Sequence, residues 1–409
     1  MHIVMIEDFF HPKAGYQINT LAPALVKRGY KVTIVTSQLE KIPEYLKNFF
    51  GVENIEKYDN EFFSKTGVRI IRIPILTYYS GRSIYKHSLV KFVKSLSPDL
   101  LFVHGMDTFA GILFILKSGN LPFPLIVDCH MTNIAAKNKF SKYFKKIYQK
   151  FITPKIVENS IHIIDVTDCN YPEVAYGVLK RLVTNIPLMN VDTSVFKPDK
   201  DLRRAFRNKN GIPQEAFVVT YAGKIDESKG GMILAEALSQ PLHSKSKDVY
   251  ILIVSSNNEP YAQKVREIIS NSGNKFVFLP TLPFELLPEL YNATDLFVIP
   301  KQSSMSFFHA QACGVPVILE DNPINLQRAS NAGVLFFRSG DSEKLRERIT
   351  EFINLEDSEV QQLKELSRKF ILENYDFEKS IDEYERVFKK SLDSFQLGTK
   401  NREKFSWKE

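Results

Sequence analysis

Two lysines, Lys224 and Lys229, stand five residues apart around a segment that should carry a strand into a helix. Two ammonium groups beside helix-terminal N–H donors suit a diphosphate, whose charge must be stabilised as it departs. A second device lies in LFVIPKQSSMSFFHAQACGVPVIL, residues 296–319. It reads as a buried strand (296–299), a polar turn through Ser303, Ser304, Met305 and Ser306, a helix that Gly314 stops, and another strand (315–319). Two further strands end in polar groups, His104-Gly105-Met106-Asp107 and Asp128-Cys129-His130. Gly15 follows the first strand and permits a close backbone approach to a ligand. Each feature alone has an ordinary reading as a solvated lysine, a serine cap, a satisfied histidine or a turn glycine. Their shared position at strand ends points to a site, because parallel sheets bind ligands beyond the carboxyl ends of their strands.

The elements that must position these groups follow from hydrophobic periodicity. Short apolar runs at 2–6, 31–36, 68–73, 100–104, 124–128 and 162–166 alternate with mostly helical patterns. The loop after the first run holds one glycine in place of the G-x-G-x-x-G dinucleotide fingerprint. Around 185–201 the period disappears and prolines enter, as expected of a linker. A second series then begins, with runs at 216–222, 249–254, 275–279, 296–299, 315–319 and 334–337, and helices from 342 onward. The pattern predicts an α/β chain of two doubly wound, Rossmann-like domains, 1–190 and 200–375, with a helix at about 380–409 packing back on the first.

Composition narrows the function classes. Hydrophobic content of 44% and charged content of 25% belong to a globular protein, with no apolar run near the ~20 residues of a membrane span. Glu7 and Asp8 directly follow the first apolar run, which fits a strand better than a signal peptide. Three cysteines without CxxC spacing (Cys129, Cys169, Cys313) fit neither a disulfide framework nor a zinc site. A cytoplasmic protein is expected. The net charge of +7 is concentrated in part at 137–155, where seven lysines occur in a stretch, 129–157, without an acidic residue. Phe140, Phe144, Ile147 and Phe151 share one helical face there, and Lys139, Lys142, Lys146 and Lys150 lie on the other. Two readings stay open: a core-packed aromatic face with a solvated basic side, or a helix held peripherally on an anionic membrane surface. Nucleic acid is not expected as a partner, since the aromatics are spaced for packing and not interleaved with the lysines for base stacking.

Several segments carry a resemblance: GYQINTLAPALVKRGYKVTIVTS (15–37), NVDTSVFKPD (190–199), YAGKIDESKGGMILAEAL (221–238), LPTLPFELLPELYNATDLFVIP (279–300) and HAQACGVPVI (309–318). With them the chain resembles the retaining glycosyltransferases of family 4, whose GT-B fold sets two Rossmann-like domains facing across a cleft. The resemblance implies that Lys224 and Lys229 grip the donor diphosphate and that His130 lies near the donor sugar. It also implies that Gly15, Ser304, Met305 and Ser306 meet the donor through their backbone. No metal and no cofactor are implied beyond a nucleotide-diphosphate sugar as co-substrate, and the acceptor is a glycan or lipid-linked molecule. The family's E-x7-E pair is absent, with Lys301 and His309 at its two positions. His309 would then replace a carboxylate as the donor-ribose contact.

Two functions are therefore expected to compete. One is a metal-independent transferase that moves a sugar with retention. The other is a glycosyltransferase-like partner subunit that has lost turnover along with its glutamates.

Overall fold

The computed structural model describes residues 1–13, 16–39, 54–79, 82–86, 88–131, 140–167, 170–187, 191–255, 259–301, 306–329 and 333–406, with side chains to 397 in the last segment. The chain divides into two units, Met1–Leu188 with Lys379–Glu409, and Met189–Glu378.

In the first unit the strands are β1 (His2–Glu7), β2 (Lys31–Ser37), β3 (Arg69–Ile73), a hairpin of β4 (Ile75–Tyr79) and β5 (Arg82–Tyr85), then β6 (Leu100–Val103), β7 (Leu125–Cys129), β8 (His162–Asp165) and β9 (Val183–Asn185). Seven of them form one parallel sheet in the order β3-β2-β1-β6-β7-β8-β9. β6, β7 and β8 are buried along their whole length, which is why they appear in the sequence as unbroken apolar runs and not as alternation. The helix Phe377–Ser406 is the final described element. Its Tyr384 and Phe388 rings lie 6.1 and 5.6 Å from the Phe102 ring of β6, Gln17 donates to the Tyr384 hydroxyl, and Arg28 pairs with Asp382 at 2.5 Å.

The second unit carries β10 (Phe217–Ala222), β11 (Val249–Val254), β12 (Lys275–Leu279), β13 (Leu296–Ile299), β14 (Val317–Glu320) and β15 (Val334–Phe337). They form a parallel sheet ordered β12-β11-β10-β13-β14-β15, with an apolar core on each face. The strand expected from residue 315 starts two residues later, because Pro316 has no N–H to give to the ladder and offers only its carbonyl, to Phe297. Gly314 stops the preceding helix as its sequence suggests. It sits at φ +76°, where a side chain would be strained, and donates to the Gln311 carbonyl.

The basic helix at Ser141–Phe151 departs from a core-packed aromatic face. Phe140 is 73% exposed, and Ile147 and Phe151 are each 56% exposed. The inward stripe runs instead through Tyr148 and Ile152. The Tyr148 hydroxyl donates to the Met106 carbonyl at 2.9 Å and its ring lies 4.2 Å from that of Tyr176. Tyr148 stands one residue, or about 100° around the helix, from Ile147, so anchoring it turns the phenylalanine stripe outward.

Candidate functional site

Each sheet reverses its strand order once, between β1 and β6 in the first unit and between β10 and β13 in the second. Such reversals splay the flanking connections to opposite faces and open a crevice at the carboxyl ends of the strands. The residues singled out by their chemistry gather at both.

In the first unit Asp128, at the end of β7, is fully buried and receives groups from two other segments. Its Oδ1 accepts the Gly105 N–H at 2.6 Å, and its Oδ2 lies 2.8 Å from His104 Nδ1 and 3.0 Å from His130 Nε2. Glu7, at the end of β1, reaches within 4.0 Å of His104 Nδ1. The turn that delivers these contacts needs glycine. Gly105 sits at φ +86°, and a Cβ there would lie 2.4 Å from Thr108 Cγ2. Thr108 is occupied in capping the helix Phe109–Lys117 by accepting the Gly111 N–H at 3.0 Å.

The charges in this cluster are coupled. Burial alone would keep Asp128 protonated, but His130 and His104 outweigh it and hold the carboxyl far below the usual carboxylate range. Burial also works against a charged His130, yet the Asp128 carboxylate prevails and raises its pKa. Burial raises Glu7. His130 is thus held as a hydrogen-bond donor, oriented through Nε2, with 34% of its side chain open to solvent. Ligand-type atoms of His104, Asp128 and His130 lie within 4.8 Å of one another. The contacts of both imidazoles with the Asp128 carboxylate draw these atoms together. The sequence pointed to His104, Asp128 and His130 but missed Glu7, whose one signal was its place at the end of the first strand.

In the second unit the loop after β10 folds around Asp226. Its Oδ1 accepts the Lys229 N–H at 2.9 Å and the Ser228 hydroxyl at 2.7 Å, and its Oδ2 lies 3.4 Å from Lys224 Nζ. Gly230 follows at φ +73°, and a Cβ added there would meet Lys301 Cβ at 2.7 Å and Pro300 Cβ at 3.2 Å. The loops after β10 and β13 therefore touch, and Lys301 Nζ donates to the Glu227 carbonyl at 3.3 Å. Lys224, Lys229 and Lys301 all lie on these two touching loops, at the point where the sheet reverses. Ser306 opens the helix Ser306–Ala312. Gly15, Ser304 and Met305 lie outside the described residues.

Two family models match the chain, glycosyltransferase family 4 over residues 14–168 and glycosyl transferases group 1 over residues 203–370. The chain belongs to glycosyltransferase family 4. A D-inositol 3-phosphate glycosyltransferase of Catenulispora acidiphila is 31% identical to this family 4 chain over 156 residues, a match spanning 35% of the chain and 36% of that protein. Among solved structures, a glycosyltransferase from Rickettsia africae superposes with a TM-score of 0.71 at 16% identity, covering 96% of this chain and 98% of its own. Anabaena Alr3699/HepE in complex with UDP-glucose superposes with a TM-score of 0.65 at 16% identity, covering 96% and 100%. These likenesses give the fold as GT-B.

His309, expected as a ribose contact, is buried among aromatic rings. Its ring is enclosed by Phe196, Phe284 and Tyr291, with centroids at 4.4, 5.6 and 6.5 Å, and burial pushes its pKa down to about 4. Neutral imidazole tolerates such an apolar enclosure at a far lower desolvation cost than a carboxylate would. The pH consequence has a definite sign. Unfolded chains bind a proton on histidine near pH 6.5, whereas the folded box resists it until about pH 4. Stability due to His309 is therefore full above pH 6.5 and falls as pH drops, by about 1.4 kcal/mol per unit. Urea midpoints measured at pH 7 and pH 5 should fall less for His309→Phe than for the native chain. Equal falls would show that the ring is not held neutral.

Proposed function

We propose that this family 4 chain transfers a sugar from a nucleotide-diphosphate sugar to a glycan or lipid-linked acceptor, with retention and without a metal ion. The observation that carries the proposal is the group of Lys224, Lys229 and Lys301 at the reversal of the second sheet, braced by Asp226 and Gly230. Fixed cations and backbone donors of this kind stabilise a departing diphosphate, a role divalent ions fill elsewhere. The fold neighbour solved with UDP-glucose supports this class of donor. In the first unit His130, aimed by Asp128, hydrogen-bonds the donor sugar, and the acceptor hydroxyl attacks from the face that the diphosphate leaves. Gly15, Ser304, Met305 and Ser306 supply backbone contacts to the donor.

The test is a panel of UDP-, GDP- and ADP-sugars with simple glycoside acceptors in excess chelator, read by proton NMR. The expected product keeps the anomeric configuration of the donor, at a rate the chelator leaves unchanged. An inverted product, or activity lost to the chelator, would overturn the mechanism. The missing E-x7-E carboxylates favour the reading as a non-catalytic partner subunit. That reading expects no turnover across the panel, and no donor binding at all would favour it.

We further propose that the helix Ser141–Phe151 rests on an anionic membrane surface. Its exposed Phe140, Ile147 and Phe151 supply apolar area, and Lys142, Lys146 and Lys150 supply charge worth about 1 kcal/mol each near such a surface. No described helix is long and apolar enough to cross a membrane. Co-sedimentation with phosphatidylglycerol vesicles is expected to drop about tenfold or more in the triple variant Phe140→Ser, Ile147→Ser, Phe151→Ser. It should also weaken in high salt. Failure of the native chain to bind these vesicles at low salt would refute the proposal.

A further inference from the structure

The opposite end of the first sheet holds a second cavity, far along the strands from Asp128 and His130. Its volume is about 420 Å³, within the roughly 300–1,000 Å³ typical of small-molecule pockets. It lies at the amino-terminal ends of β7 and β8, beside the segment leading into β9, and the helix Phe377–Ser406 forms its outer wall. The floor is apolar, with Phe123, Leu125, Ile161 and Leu182 all buried. Arg181 and Lys390 border that floor from two different segments. Among the described residues neither cation has an ion-pair or hydrogen-bond partner. Glu158, the acid at the rim, is taken by Lys155 at 2.7 Å. Ser391 and Ser394 present hydroxyls from the helix wall, and His162 closes the inner end, held on Thr184 Oγ1 at 2.8 Å.

Unpaired cations over an apolar floor make a specific demand. Near a low-dielectric wall an anion gains more from them than it would in bulk water, and the floor accepts the face of a ring. Hydroxyls on one wall suit a polyol. We propose that this cavity is a second ligand site, for a small phosphorylated sugar of hexose-monophosphate size, with Arg181 and Lys390 on the phosphate and Ser391 and Ser394 on the hydroxyls. Such a ligand ties the C-terminal helix to the strand ends it covers, so binding stabilises the first unit. The field of Lys390 and Arg386, added to burial, keeps His162 neutral in the free protein, and a bound phosphate would oppose that field. The His162 ring is therefore a local reporter of occupancy.

The test uses the full chain with glucose 6-phosphate as probe, and with inorganic phosphate and glucose as its two halves. Calorimetry and thermal shift are read for the native protein, for Arg181→Ala with Lys390→Ala, and for Lys229→Ala. Both cations are exposed side chains, so the double variant should melt as the native chain does without ligand. The expected result is binding to the native chain and to Lys229→Ala, at least tenfold weaker binding to the double variant, and a shift of the His162 C2–H resonance on saturation. Either half is expected to bind more weakly than the whole. Absence of binding to the native chain, equal binding to the double variant, loss of binding in Lys229→Ala, or inorganic phosphate binding as tightly as the sugar phosphate would each overturn the proposal. The Lys229→Ala arm separates this site from the donor-diphosphate group, so the two proposals fail independently.

Discussion

Lys229→Ala should lower kcat/KM for donor consumption by about 10²- to 10³-fold, the usual cost of removing one charge-stabilising group from a transition state. The backbone of Lys229 is pinned by Asp226, and the next residue is a glycine in the left-handed region that packs against Lys301. The ammonium group therefore extends from a rigid base, and alanine removes the charge without disturbing the turn. The diphosphate gains charge as its bond to the sugar breaks, so most of the loss should appear in kcat, with a smaller rise in KM. Lys229→Arg should recover part of the rate, because it restores charge in a different geometry. Lys344→Ala is the control, a surface lysine already paired with Glu347 at 2.6 Å. Initial rates of nucleoside-diphosphate release measure all three. A Lys229→Ala enzyme with native kinetics would remove the diphosphate role from this loop.

Arg207→Ala should cost the second unit about 3–5 kcal/mol, the penalty for breaking a buried ion pair from one side. Arg207 is fully buried in the helix Lys200–Lys209. Its guanidinium donates to the carbonyls of Ala293, Pro213, Gln214 and Ala216 and pairs with Asp295 Oδ2 at 2.7 Å. The same carboxylate oxygen accepts the Val218 N–H that opens β10, while Oδ1 takes Arg203. One side chain thus ties a helix to the starts of β10 and β13, the two strands between which the sheet reverses. Alanine would strand carbonyls without donors and leave Asp295 Oδ2 without its guanidinium, with Arg203 and Lys364 remaining on Oδ1. Urea unfolding is the measurement, with the exposed Arg204→Ala expected within about 0.5 kcal/mol of the native chain. Adding Asp295→Asn to Arg207→Ala should cost less than the sum of the two single changes, since the two side chains share one hydrogen-bonded pair. A loss for Arg207→Ala no larger than that for Arg204→Ala would mean that the buried network is not holding the unit together.

The central strands of both sheets could be read from the sequence because burial on both faces writes them as uninterrupted apolar runs. β9 could not, since Val183–Asn185 is three half-exposed residues at a sheet edge. The β4–β5 hairpin escaped for a related reason. Its residues pair outside the main sheet, and β4 is mostly exposed. At the candidate site, Lys224, Lys229, His104, Asp128 and His130 were visible as charged or polar residues at the ends of apolar runs. What brings Glu7 to His104, and Lys301 to Gly230, is strand order, a property of pairings between distant segments that no local pattern encodes. Helix phase was the other gap. The spacing of Phe140, Phe144, Ile147 and Phe151 shows that they share a face but not which way it points, and Tyr148 decides that by finding the Met106 carbonyl. His309 is the same case in reverse, polar by type but turned into a ring of aromatics.

The first unit is discontinuous along the chain, and this sets an order of events during synthesis. Its sheet can form early, but the rings that cover Phe102 belong to Tyr384 and Phe388, which follow the 190 residues of the second unit. At roughly 5–20 residues per second the ribosome needs on the order of 10–40 s to cross that interval. For that time the nascent sheet carries an uncovered aromatic surface, the kind of patch that invites chaperones or aggregation. The last helix is therefore also the step that ends the vulnerable stage of folding.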